Sequence, residues 1–447
     1  MSRHNRGRVF YRRLAHDYPS VDRGEGAYLY DTAGRRYLDA AAGALVANIG
    51  HGVAEVVQAL AAQAQRVAYV NGTQFVSASL EAYASALGEV APMPEPRVYL
   101  VSGGSEAVET ALKLARQVCV ARGEPGRYKF ISRWGSYHGA TLGALSVSGR
   151  PPLRRPYVPL LLDVSHIPPA YCYRCPFGQT YPACEVACAA ALEGEILRQG
   201  PEMVAAFIAE PVVGATLAAA VPPPEYWPRV REICDRYGVL LIADEVMTGL
   251  GRTGRWFGVD HWDVSPDVLV TAKGASGGYF PLGVVLAREE WIDVIRNKPG
   301  DFVHGFTYAN DVVGAAVGLA VLRYLHAHNL VNASARRGEY LWQKLAVLRE
   351  LPIVGDVRGL GLMAGVELVA DKTSRQPFSR SKKVAERVQA ATLARGVNVY
   401  YGSGLADGID GDAILLGPPF IVTETQIDEI VAVLREAIAE VAGQLLD

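Results

Sequence analysis

The sequence predicts an α/β protein with a large three-layer α/β/α domain and a smaller α+β domain. Three observations carry that reading. The chain has 447 residues, more than one hydrophobic core usually organises. Its middle alternates short, continuously apolar segments with helical patterns, the rhythm of βαβ units. Its C-terminal part loses that rhythm and ends in a long amphipathic pattern. The expected division is 1–70 as the N-terminal segment of the small domain, 71–309 as the large domain and 310–447 as the C-terminal small domain.

The first thirteen residues hold five arginines and no acid. They lack an apolar core and a cleavage site, so a surface arm, or one lying on a partner subunit, fits better than a targeting segment. The cytoplasm is the default compartment. Residues 26–39 (GAYLYDTAGRRYLD) read as a hairpin turning at 32–34, expected to complete the small domain. Six buried strands are then expected at 97–102, 128–132, 204–210, 239–244, 268–272 and 283–287. Their unbroken apolar character points to a sheet covered on both faces. Helical patterns at 106–121 and 224–237 separate some of them. Residues 355–363 (GDVRGLGLM) read as a loop entering a strand at 364–368. The last helix starts at Thr423, with Gln426 at capping-box spacing. Ile427, Ile430, Val431, Leu434 and Ile438 follow at helical period. No internal repeat or low-complexity linker is evident.

Composition excludes several classes. With 50% hydrophobic and 20% charged residues, a net charge of -2 and a pI near 6.5, no global field recruits nucleic acid or an anionic membrane. The apolar runs are too short to span a bilayer.

Four segments carry chemistry, all at the ends of expected strands. Ser102-Gly103-Gly104-Ser105 precedes a helix, so backbone amides, the helix N-terminus and the Ser105 hydroxyl suit an anion; a plain strand-to-helix turn is the bland alternative. It is no P-loop, since no Gly-Lys-Ser/Thr follows. Asp244-Glu245 ends a strand where ligands of open α/β sheets sit, the alternative being a solvated pair or a helix cap. Asp244, if buried, can pair with a cationic ring nitrogen. Lys273 sits between an apolar run and a glycine-rich loop, where partial burial makes it an amine nucleophile; most lysines are simply solvated. Trp134 to Gly139 offers an aromatic ring to a flat cofactor, while His138 alone is more often structural. An anion cradle, a stacking aromatic, a carboxylate and a lysine together suit pyridoxal phosphate better than NAD or ATP.

From about Tyr28 to the C-terminus, the chain resembles the class III (subgroup II) aminotransferases of the fold-type I pyridoxal-phosphate enzymes, the omega-transaminases among them. The carriers are Gly-Ser-Glu-Ala at 104–107, Tyr-His-Gly at 137–139, Glu-Pro-Val-Val-Gly at 210–214, the signature 244–254, Lys273, and Gly-Phe-Thr-Tyr at 305–308. The resemblance implies that Lys273 is the Schiff-base lysine and proton shuttle, and that Asp244 keeps the pyridine nitrogen protonated. It implies that Tyr137 and Val246 flank the ring, and that Gly104 and Ser105 hold the phosphate. His138 is expected beside the cofactor. Glu210 falls beside the phenolic oxygen, often with an arginine partner. Thr307 would complete the phosphate site of a neighbouring subunit. A homodimer with shared sites follows from that, and a tetramer stays open. The implied reaction is a ping-pong transfer from an amine or omega-amino acid to a keto acid, pyruvate foremost. An aminomutase or decarboxylase of the same fold is the alternative; a non-catalytic binding protein that keeps the fold is another, opposed by Lys273, Asp244 and Tyr137 occurring together.

Two departures stand out. Relatives acting on omega-amino acids or amines often carry a carboxylate-binding arginine before a late Gly-Asp, yet residues 404–412 (GLADGIDGD) contain none. Another basic residue or apolar contacts would substitute; Leu45, Phe75, Trp134 and Tyr137 are the expected pocket residues. Cys172, Cys175, Cys184 and Cys188 have the spacing C-x2-C-x8-C-x3-C. Reduced thiols, disulfides and zinc all remain open, with no metal as the main expectation.

Overall fold

The computed structural model describes residues 8–14 and 16–446; most of the arginine-rich arm's first half, residues 1–7, lies outside them. Three sheets organise the chain. The N-terminal strands β1 (Val21–Glu25), β2 (Tyr28–Asp31) and β3 (Arg36–Asp39) form the expected hairpin extended by one strand. The central strands are β4 (Pro96–Val101), β5 (Lys129–Arg133), β6 (Ser165–Ile167), β7 (Val204–Ala209), β8 (Leu240–Asp244), β9 (Val268–Thr271) and β10 (Gly283–Arg288). The C-terminal strands are β11 (Val354–Leu360), β12 (Met363–Asp371), β13 (Gln376–Pro377), β14 (Val397–Asn398), β15 (Tyr400–Ser403) and β16 (Asp412–Leu416).

The central sheet runs β4-β10-β9-β8-β7-β5-β6. Only β10 is antiparallel to its neighbours, so β4, β5, β7, β8 and β9 all end at one edge. Strand alternation feeds both faces. Ala206 and Ile208 of β7, Ile242 of β8 and Val270 of β9 pack with Ala107, Ala111 and Ala115 of the helix Gly104–Ala121. Phe207 and Leu241 face the other way, against Leu192 and Ile196 of Ala187–Gln199 and Trp227 and Val230 of Tyr226–Tyr237. Two apolar layers explain why these strands read as unbroken runs, and the three-layer expectation is met.

The second sheet runs β11-β12-β16-β15, with β13 on β12. The last helix, Glu424–Leu446, buries Ile427, Ile430, Leu434 and Ile438 in the core that includes Val366, Ile414 and Leu416. Its start is a reciprocal cap: the Thr423 amide donates to Gln426 Oε1 (2.8 Å) and the Gln426 amide to Thr423 Oγ1 (3.2 Å). The N-terminal strands join chain that follows much later, β14 pairing parallel with β3 through Val397 and Leu38.

One segment departs from its expectation. Residues 354–360 are strand, paired antiparallel with β12, where glycine content predicts loop. Those glycines serve close packing instead. A Cβ on Gly361, which has φ +53°, would lie 2.4 Å from the carbonyl carbon of Thr253. The turn therefore presses on the loop after β8, and only glycine fits there.

Candidate active site

The C-terminal edge of the central sheet carries a cavity of about 480 Å³. The segment after β4 brings Gly103, Gly104 and Ser105 to its wall, and that after β5 brings Tyr137, His138 and Gly139. Glu210 follows β7, Asp244 ends β8, Val246 lies just beyond, and Lys273 follows β9. Each is the residue at which a buried parallel strand meets the open edge, the usual ligand position of such sheets.

Lys273 has φ +42°, a left-handed conformation that costs free energy in a side chain of this size. Asn48 braces the loop behind it, donating from Nδ2 to the Gly274 carbonyl at 3.2 Å. Burial lowers the Lys273 amine from 10.5 to about 8; the Asp244 and Glu210 carboxylates resist that fall and Arg252 adds to it. A minor but appreciable fraction of the amine is thus uncharged near physiological pH, as nucleophilic or proton-shuttling work requires.

Asp244 is buried. Its Oδ2 lies 2.6 Å from His138 Nδ1, and its Oδ1 accepts from the Val246 amide at 3.0 Å. His138 is itself fixed by Ser148 Oγ on its backbone amide (2.8 Å) and by Ser132 Oγ near Nε2 (3.3 Å). This imidazole is a positioning group that aims the carboxylate.

Glu210 accepts from the Tyr137 amide through Oε1 (3.1 Å), whereas Oε2 has no hydrogen-bond partner. Its counter-ion is Arg133, 1% exposed, whose Nη2 donates to the Glu210 carbonyl at 2.6 Å and stands 3.6 Å from Oε2. Burial raises the Glu210 carboxyl, with His138 and Arg133 opposing.

The expected anion cradle falls at the N-terminus of Gly104–Ala121, whose cap residue Gly103 has no side chain to satisfy it. A Cβ on Gly104 would come 3.2 Å from Val246 Cγ1, so glycine keeps the cradle open. Ser105 Oγ already accepts from the Ala140 amide at 3.0 Å, leaving its own proton to donate.

Four expected residues stand outside this wall. Leu45 is buried among Val212, Met363 and Leu415, its side chain taken up by core packing. Trp134 stacks on His166, ring centroids 4.6 Å apart, so Tyr137 is the aromatic of that segment that reaches the cavity. Phe75 is exposed and lines a separate groove with Val76 and Asn310. Thr307 is exposed, its carbonyl accepting from Tyr69. Sequence reasoning did not single out Arg133, Asn48 or Arg252. Arg252 is a buried cation whose Nη1 donates to the carbonyls of Leu362 (3.1 Å) and Pro418 (2.6 Å), and burial pushes it down to about 9. It ties the loop after β8 to two C-terminal segments. A buried polar residue in an otherwise apolar setting would have been the only signal.

Glu245, adjacent to Asp244, faces away. It accepts from Thr248 and from the amides of Gly258 and Val259 (2.8 Å each), and burial raises it to about 7. It organises the loop and leaves the cavity to Asp244. Cys172, Cys175, Cys184 and Cys188 are unbonded and line a small void of about 20 Å³ with Phe177 and Tyr181. Among the described residues, no three His, Cys, Asp or Glu are disposed to hold a metal ion.

Comparison with known proteins matches the family model "Aminotransferase class-III" over residues 12–438. The putrescine–pyruvate aminotransferase of Pseudomonas aeruginosa is 35% identical, covering 95% of this chain and 91% of its own length. The aminotransferase YodT of Bacillus subtilis is 37% identical, with 97% of each chain covered. The solved structure of a thermostable (S)-enantioselective omega-transaminase from Thermomicrobium roseum superposes with a TM-score of 0.89 at 38% identity, over 97% of this chain and 94% of that one.

Proposed function

This chain belongs to the class III aminotransferases, which depend on pyridoxal phosphate, and from that premise we propose that it moves an amino group from an amine or omega-amino acid to a keto acid, pyruvate foremost, in two ping-pong half-reactions. The observation that carries the proposal is the Lys273 amine, held near pKa 8 at the sheet edge that also bears Asp244. Its relative in Pseudomonas aeruginosa, a putrescine–pyruvate aminotransferase, supports the pairing of an amine donor with pyruvate.

The residues present fit the cofactor. Asp244 is a buried carboxylate for a protonated ring nitrogen, the uncapped helix end suits a phosphate, and Glu210 Oε2 is a buried oxygen without a hydrogen-bond partner. Lys273 would hold the cofactor, Gly104 and Ser105 its phosphate, and Tyr137 and Val246 would flank its ring. Pyridoxal phosphate supplies a carbonyl that condenses with amines and a ring that takes up an electron pair. Lys273 would take the proton from the substrate Cα and hand it to the carbon that was the cofactor's carbonyl, its lowered pKa keeping part of it neutral for that task. Asp244, oriented by His138, would keep positive charge favourable on the ring nitrogen. The Arg133–Glu210 pair holds the Tyr137 backbone in register.

A homodimer with shared sites is part of the proposal, Thr307 completing the partner's phosphate site. Phe75, Val76, Val303 and Tyr308, all exposed, support an apolar association surface. Six unbonded cysteines fit a cytoplasmic setting, and no described helix is long and apolar enough to cross a membrane.

The test is a panel of amines and omega-amino acids mixed with the loaded enzyme, with and without pyruvate. Bleaching of the visible band by donor, and a carbonyl product that accumulates catalytically only with acceptor, is the expected result. Isomerised amine or carbon dioxide formed without acceptor would overturn it in favour of an aminomutase or decarboxylase.

A further inference from the structure

The cavity wall holds no arginine, and no lysine other than Lys273. Beyond the cradle and the carboxylates its lining is largely apolar, with Val46, Ala215, Met247, Phe280 and Leu282, together with Tyr137, His138 and Ser276. A substrate carboxylate has no counter-charge inside and must find one at the rim.

Arg150 stands outside that lining but close enough to act electrostatically on the lining residue Tyr137. Its backbone is locked against the Tyr137 loop: the Gly149 amide donates to the Ser136 carbonyl (3.1 Å), and the Gly135 amide to the Gly149 carbonyl (2.9 Å). A Cβ on Gly149 would lie 2.0 Å from the Arg133 carbonyl, so this segment cannot drift from the site. On the other side, Arg150 Nη2 donates to the Ser403 carbonyl at 3.2 Å, at the end of β15. The preceding residue, Gly402, lies against the cavity-lining Ala215, with 2.8 Å from its would-be Cβ to the Ala215 carbonyl. The guanidinium thus spans from the Tyr137 loop to the strand behind Ala215.

Arg150 is half-buried, yet no carboxylate pairs with it among the described residues. The charged or titratable groups facing it are Tyr400, Tyr401, Tyr137 and Arg12 of the N-terminal arm. Arg12 also acts on Tyr137. Neither arginine forms an ion pair with a carboxylate among the described residues, although Asp244 also acts on Tyr137, so two unpaired cations stand at one aromatic edge. The loop beyond β15 adds no cation: residues 404–411 close on themselves, with the Gly404 amide donating to the Gly411 carbonyl (2.7 Å), and Gly408 rests on Pro151; its carboxylates are taken up locally, Asp407 accepting the Ile409 and Asp410 amides and Asp410 the Arg380 amide.

We propose that Arg150, assisted by Arg12, reads the carboxylate of the substrate, in the first place that of the keto-acid acceptor. The assignment rests on the aminotransferase reading above. Arginine suits the task because its planar fork pairs both carboxylate oxygens. A merely structural role, tethering Ser403, is the competing account.

The two half-reactions of the loaded holoenzyme separate these accounts. In Arg150→Gln the KM for pyruvate should rise about ten- to a hundredfold, the size of a lost charge-assisted pair. The KM for propanal, an acceptor without a carboxylate, should stay within about twofold, as should kcat with propanal. Arg150→Lys should recover part of the loss, and Arg12→Gln should show a smaller rise confined to pyruvate. Equal losses with pyruvate and propanal, or an unchanged KM for pyruvate, would overturn the assignment. If wild-type enzyme is not bleached by any amine, the aminotransferase reading itself fails, a result distinct from either.

Discussion

Replacing Lys273 with methionine removes the reacting amine, and it should also stabilise the cofactor-free protein. The wild-type amine is lowered from 10.5 to about 8, chiefly by burial. At about 1.4 kcal/mol per pH unit, folding the charged form at pH 7 therefore carries a penalty of roughly 3 kcal/mol. Below pH 8 both folded and unfolded chains hold the proton, so the penalty is complete and constant. Between about 8 and 10.5 the folded chain has released a proton that the unfolded chain still binds, so wild-type stability rises with pH. Above 10.5 both are neutral and the penalty is gone. Methionine, unbranched and of similar length, fills the position without charge. Urea unfolding of the two cofactor-free proteins should therefore favour Lys273→Met at pH 7 by up to about 3 kcal/mol, the gap closing towards pH 10.5. A wild type more stable than the variant at pH 7, or a gap independent of pH, would refute the burial argument. The same variant, loaded with cofactor, should have no transaminase turnover.

Asp244→Asn keeps the shape of the site but removes the charge aimed by His138, so kcat should fall about 100- to 1000-fold in a steady-state assay, with the melting temperature little changed. Glu245→Ala leaves the Gly258 and Val259 amides without acceptors and should cost about 2–4 kcal/mol in urea unfolding, although Glu245 does not face the cavity. Arg133→Leu strands the buried Glu210 carboxylate and should destabilise by about 3–5 kcal/mol; Arg133→Leu combined with Glu210→Gln should recover part of that loss. Thiol titration of the unfolded chain should find all six cysteines free, and metal analysis should find less than one zinc per chain.

The central sheet was legible because its information is local. Each of six strands is a short apolar run between a turn and a helix, and each begins and ends within about a residue or two of its expected bounds. The capping box at Thr423 was legible for the same reason, both partners lying within four residues. The strand at 354–360 was not. Its glycines answer to distant neighbours, Gly355 to Tyr173 and Gly361 to Thr253, and a local reading sees only turn-forming residues. β1, β6, β14 and β15 were missed because short edge strands are defined by partners far away in sequence, and β13 and the inner strand β16 went unread as well.

The site divides along the same line. Lys273, Asp244 and the Gly104 cradle could be read because parallel strands bring their C-terminal ends to one edge, so sequence position implies spatial position. Residues that govern charge at that edge carry no such mark. Arg133 is an arginine at a strand end, and nothing near it in sequence says that Glu210 will need it. Arg252 lies inside a recognised signature, yet its contacts, Leu362 and Pro418, come from segments beside the strands of the C-terminal sheet. The pKa of Lys273 depends on burial first, then on Asp244, Arg252 and Glu210, four influences gathered from separate stretches of chain. Sequence could therefore name the amine that reacts. The free energy that makes it reactive belongs to the assembled edge.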